Sequence, residues 1–75
     1  MKRATDEDDK VVKALTGVLS AKDARSRQNA ALALAGLGPK ATSALPALKK
    51  LFEDKNEDAA VRAAVAEAIS KIPAR

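Results

Sequence analysis

Seventy-five residues make one small domain, and neither cysteine nor histidine occurs among them. Disulfides, thiolate chemistry, Cys/His zinc sites and a histidine general base are thereby excluded. The net charge of +4 is evenly spread, seven basic and five acidic side chains falling in each of residues 1–38 and 39–75, so no block of one sign advertises a partner.

Met1-Lys2-Arg3 has the basic start of a signal peptide, but "ATDEDDK" follows where an apolar core is needed. No apolar run approaches ~18 residues, so no membrane span is expected and the cytoplasm is the default location. Residues 1–8 read as an acidic segment. Asp6-Glu7-Asp8-Asp9 is expected to precede the first helix and to suit its positive end. That helix carries Val11, Val12, Leu15, Val18 and Leu19 at helical spacing. Asp23 stands at the N-cap of a second helix. Its stripe is Ala30, Ala33, Leu34 and Leu37, counted from Ser26. Gly38 and Pro39 end it: glycine can take a positive φ past the last turn, and proline cannot continue the helix. Thr42 or Ser43 is expected to cap the third helix, with Pro46 in or near its first turn. Leu45, Leu48, Leu51 and Phe52 form its apolar stripe. Asp58 caps the fourth helix, whose stripe is Val61, Ala64, Val65, Ala68, Ile69 and Ile72. Pro73 stops it. No segment shows strand alternation, so the expected fold class is all-α.

The stretch "GLGPKATS" (36–43) holds glycines, a lysine and hydroxyls, the ingredients of a phosphate cradle. A P-loop needs a strand before it and Gly-Lys-Ser/Thr opening a helix. Here a helix precedes it, and Lys40 follows Pro39, which has no N–H to offer. The stretch reads as the hinge between two helix pairs.

Those pairs are related. A shift of 35 lays "DARSRQNAALALAGLGPK" (23–40) over "DAAVRAAVAEAISKIPAR" (58–75). Asp23 meets Asp58, Arg27 meets Arg62, Ala31 meets Ala66, Leu34 meets Ile69 and Leu37 meets Ile72. A shift of 33 lays "VKALTGVLSAK" over "LPALKKLFEDK", the inner loop of the second half being longer. One unit is therefore present twice, at about residues 9–38 and 41–73 of a single domain spanning 1–75. Alanine supplies 18 of the apolar residues, which leaves few large ones for a core. A neighbour is expected to complete it, as a larger array or a second copy.

On "LPALKKLFEDKNEDAAVRAAVAEAISKI" and "RQNAALALAGLGPKA", the chain resembles the HEAT repeat in its alanine-rich, phycobilisome-lyase-like form. Val61-Arg62, Ala66, Ala68-Ile69-Ser70 and Ile72 match the family's second helix. In the first unit Arg27, Ala30-Ala31, Ala33-Leu34-Ala35, Leu37 and Gly38 do so. The resemblance implies an α-solenoid of two stacked antiparallel helix pairs, with second helices on the concave side. It implies a scaffold for protein contact. It also implies a structural role for Asp23, Arg27, Asp58 and Arg62, since the family places an Asp and an Arg near this turn to bridge repeats.

The remaining candidates are surfaces. Asp23…Arg27 and Asp58…Arg62 share an i, i+4 spacing, read as a helix cap with an ion pair. The carboxylates of "DEDD", "EDKNED" and Glu67 read as solvated, so no catalytic residue, metal site or cofactor is expected. Lysines and arginines are dispersed among acids and accompanied by one aromatic, Phe52, which fits the core stripe. Nucleic-acid binding by these dispersed cations is therefore the alternative reading. The preferred one is a protein partner or self-association on the outer face of the second helices, through Gln28, Leu32, Ala63, Glu67 and Lys71. Leu32 is the large apolar residue there, where the second unit has Glu67.

Overall fold

A computed structural model describes residues 4–73. Met1-Lys2-Arg3 and the last two residues of the 58–75 match lie outside them. The elements in order are α1 (Ala4–Val18), α2 (Ala24–Leu37), a 3-10 helix (Gly38–Ala44), α3 (Leu45–Glu53) and α4 (Ala59–Lys71). No strand occurs among the described residues. The all-α reading and the two helix pairs hold.

Helix α1 begins earlier than expected. Asp6-Glu7-Asp8-Asp9 lies within it and does not precede it. Acidic residues are favourable in a first turn, so the helix takes them in as its own start. Asp8 then holds the Lys40 ammonium at 3.3 Å and ties α1 to the segment after α2. At the other end Leu19 N–H is shared between the Leu15 and Thr16 carbonyls, at 3.2 and 3.1 Å.

Gly38 closes α2, donating its N–H to the Ala35 and Leu34 carbonyls. Its φ of 58° with ψ of −128° is a conformation open to glycine and strained for other residues. The next residues wind into the 3-10 helix, which the sequence did not suggest. Here the expected cap of α3 fails. Thr42 Oγ1 turns back and donates to the Pro39 carbonyl at 2.7 Å, and Ser43 is exposed. The capping position belongs to Ala44, which has no side chain to offer, and Pro46 sits in the first turn as expected. A helical turn already precedes α3, so Thr42 and Ser43 lie too early to cap it.

The broadest helix contact is α2 on α4. Helix α3 packs on α4, and α1 packs on α2 and on the 3-10 helix, whereas α1 and α3 barely meet. The molecule is long and thin, 44 × 23 × 16 Å. Its core is carried by Val12, Leu34, Leu48, Val61 and Val65, the largest fully enclosed side chains, with alanines between them. Ala30, Ala31, Ala64 and Ala68 are buried on the two second helices, which fits the close approach that small side chains permit.

The apolar stripes are only partly inside. Val12 and Leu19 are buried, whereas Val11 and Val18 are exposed. Ala33 is exposed as well, and Leu15, Leu37, Leu51 and Ile69 are half-buried. Phe52, expected in the core, is in fact 42% exposed. It sits in the last turn of α3, with the Arg62 guanidinium of α4 over its ring.

Candidate functional site

The two N-cap aspartates of the second helices behave differently. Asp58 Oδ1 accepts the Ala60 N–H at 2.8 Å and caps α4. Asp23 occupies the equivalent position, but its carboxylate reaches no backbone N–H. It accepts instead from the Ser26 hydroxyl at 3.1 Å, a donor one turn inside the helix that Val61 cannot match in α4.

Neither i, i+4 ion pair forms. Arg27 passes over Asp23 and grips Glu57 with both edges of its fork. Nε donates to Oε2 at 2.9 Å and Nη2 to Oε1 at 2.7 Å. Its remaining terminal nitrogen, Nη1, donates to the Ala21 and Lys22 carbonyls at 2.7 and 3.0 Å. One guanidinium thus fastens the α1–α2 turn to the α3–α4 loop. Bidentate geometry of this kind is the strong form of an ion pair. The Glu57 side chain is 3% exposed and the Arg27 side chain 19%, so the pair is partly shielded from water and salt. The Arg27 hydrogen bond holds the Glu57 carboxyl below its ordinary range, and Glu57 in turn raises Arg27. Glu57 Oε1 also accepts the Asp58 N–H at 2.8 Å, which fixes the loop next to the α4 cap. Glu57 is one of the "EDKNED" carboxylates expected to be solvated, and it is not, because its partner Arg27 lies 30 residues away in sequence.

Arg62, the counterpart of Arg27, meets no carboxylate among the described residues. Its Nε and Nη2 donate to the Phe52 carbonyl at 3.3 and 3.2 Å, and the guanidinium carbon stands 5.4 Å from the centre of the Phe52 ring. This is a cation–π contact at an exposed position.

The proposed contact residues of the second helices lie mostly in the open. Leu32 is 41% exposed, Ala63, Glu67 and Lys71 are exposed, and Gln28 is half-buried. Leu32 and Glu67 occupy equivalent turns of α2 and α4, as do Gln28 and Ala63. Lys71 Nζ meets Glu67 Oε2 at 3.4 Å across one turn. Beside Leu32 stand Ala33 and Gly36, so little bulk shields it from an approaching surface. No pocket opens between the helices among the described residues. Contact on this molecule is therefore contact with a surface.

A family model described as HEAT repeats matches residues 12–74. The chain belongs to the HEAT-repeat family. HEAT repeats generally serve as scaffolds for protein interaction and are typically not enzymes. The match is to HEAT repeats at large and does not extend to the phycobilisome-lyase-like form. No curated protein and no solved structure matches the chain. No helix among the described residues is long and apolar enough to cross a membrane. In this chain the side-chain bridge between the two helix pairs is made by Arg27 and Glu57 and not by Asp23 or Asp58.

Proposed function

We propose that this HEAT module is a non-enzymatic scaffold, a unit of a larger assembly, that binds a partner protein on its second helices. The observation that carries the reading is Leu32, 41% exposed on a face of small residues. An apolar anchor with a polar rim is the anatomy of a protein interface. Gln28 and the Glu67–Lys71 pair supply the rim, and Ala63 allows close approach. The helix pairs α1–α2 and α3–α4 are the two repeats, and together they hold this face rigid.

The alternative, nucleic-acid binding by dispersed cations, is less well supported. Arg27 is committed to Glu57, Lys40 to Asp8 and Lys71 to Glu67. Acidic side chains also stand between the remaining lysines.

The test compares two baits, the native chain and Leu32→Asp. Both should show the same helical circular dichroism. Proteins retained by the native chain and lost on Leu32→Asp support the reading, and equal retention contradicts it. A nucleic-acid partner would show itself as binding that weakens steeply as salt rises. Self-association through Leu32 would appear as a sedimentation mass that the substitution lowers.

A further inference from the structure

Four large apolar side chains are exposed among the described residues: Val11, Val18, Leu32 and Phe52. Leu32 belongs to the second-helix face, and Phe52 lies beneath the Arg62 guanidinium. Val11 and Val18 remain, 47% and 38% exposed on α1. A lone exposed valine is ordinary. These two stand seven residues apart with Ala14 and Leu15 between them, so offsets 0, 3, 4 and 7 form one stripe along the helix. Ala14 is exposed as well and Leu15 half-buried, while the buried Val12 and Leu19 take the side that packs on α2 and the 3-10 helix. Valine loses side-chain freedom in a helix, and an exposed position offers no packing in return. The stripe therefore has the composition of a contact that one copy of the chain does not complete.

The charges around the stripe are ordered along the chain. Asp6-Glu7-Asp8-Asp9 lies in the first half of α1, and the cations Lys10, Lys13, Lys22 and Arg25 follow, with Asp23 the one acid among them. Asp8 is held by Lys40, whereas Glu7 and Lys22 are exposed and make no ion pair among the described residues. Glu7 stands four residues before Val11, and Lys22 four residues after Val18. The stripe is thus symmetric about its midpoint in apolar pattern and opposite in charge at its two ends. Two such helices laid antiparallel, Val11 upon Val18, bring Glu7 of each copy to the turn that carries Lys22 of the other. Laid parallel, they set acid beside acid and base beside base. Electrostatic complementarity of this kind fixes register and excludes the wrong arrangement.

We infer that the Val11–Ala14–Leu15–Val18 stripe of α1 is a self-association surface, on which a second copy of this chain lies antiparallel about a two-fold axis between residues 14 and 15. The contact is isologous and closes at two copies. The two-fold axis distinguishes it from the stacking of repeats, which runs in one direction. Val11 of each copy packs on Val18 of the other, Ala14 adds little bulk and lets the helices approach, and the two Leu15 side chains meet beside the axis. One helix on one helix is a small interface, below ~1,200 Å² in total, so the dimer is weak and concentration-dependent. Leu32 lies on α2 and takes no part in it.

Sedimentation velocity over a range of concentrations tests the association. The native chain is in monomer–dimer equilibrium, with no larger species. Val18→Lys, which acts twice in each dimer, raises the dissociation constant about tenfold or more, and Leu32→Asp leaves it unchanged. Circular dichroism confirms that each variant is folded. Glu7→Lys and Lys22→Glu each weaken the dimer, and the chain carrying both regains it, a recovery that parallel pairing does not give. The chain has no cysteine, so a single introduced one locates the axis. Ala14→Cys is captured as a disulfide-linked dimer under mild oxidation, and Ala63→Cys, on α4, is not. Should Val18→Lys not fold, the charge exchange and the Ala14→Cys cross-link decide in its place. A native chain that stays monomeric up to about 1 mM overturns the inference. So does a dimer that Leu32→Asp dissociates and Val18→Lys does not, or one that the double charge exchange fails to restore.

Discussion

Ala31 and Ala66 occupy the same place in the two repeats, so enlarging each in turn asks what covers it. Ala31 has no exposed surface and lies on α2, whose broadest contact is with α4. Ala31→Leu adds an isopropyl group where there is no space. Forcing extra carbons into a packed core costs about 1–3 kcal/mol. A chain of this length is stabilised by roughly 4–11 kcal/mol in all, at ~0.05–0.15 kcal/mol per residue. At this size 1 kcal/mol moves the melting temperature by about 4–8 °C, so Ala31→Leu should lower it by roughly 4–24 °C. Ala66 is half-buried with no helix over it among the described residues, and Ala66→Leu should stay within about 0.5 kcal/mol of the native chain. Thermal unfolding followed by circular dichroism, with urea unfolding to check that the slope is unchanged, reads both. If Ala66→Leu costs as much as Ala31→Leu, the α2–α4 seam is not the stacking face and the comparison between repeats fails.

The two glycines of the hinge should respond oppositely to alanine. Gly38→Ala forces a side chain onto φ 58°, for a loss of roughly 1–2 kcal/mol, whereas Gly36 is helical and open, so Gly36→Ala should gain about 0.5–1 kcal/mol. Asp58→Ala removes a bonded cap and should cost ~1 kcal/mol, while Asp23→Ala, with no such bond to lose, should cost less; urea midpoints distinguish them. Glu57 has its folded pKa below its ordinary value of 4.5, so its contribution is complete above that pH and is lost as the pH falls through the folded value. Acid titration of the unfolding midpoint should therefore be steeper for the native chain than for Glu57→Gln, and parallel curves would contradict the pairing.

The fold was legible because periodicity, caps and repetition all agreed. The 35-residue shift placed Asp23 on Asp58 and Leu34 on Ile69, and both pairs fall at matching points of α2 and α4. Helical spacing reports which residues share a face, but not whether anything covers that face. Phe52 reads by spacing as core for this reason, although it is 42% exposed beneath the Arg62 guanidinium. The ion pairs were misread for a related reason. Sequence spacing finds partners one turn away, and Arg27 chose Glu57 in another repeat, where a part-buried bidentate pair outweighs an exposed contact with Asp23. Thr42 was misassigned as a cap because the 3-10 helix has no marker beyond Pro39. Leu32 was found correctly as an exposed apolar residue, by its contrast with Glu67.

The account rests on two repeats joined through one bridge, and a double-mutant cycle on that bridge tests it most directly. Arg27→Ala, Glu57→Ala and the double variant are unfolded in urea at neutral pH. The structure requires both single changes to destabilise. Arg27→Ala should cost the more, since it also releases the Ala21 and Lys22 carbonyls. The double variant should lose clearly less than the sum of the two. Strictly additive losses would mean that Arg27 and Glu57 do not meet in solution, and that the repeats are not stacked as described.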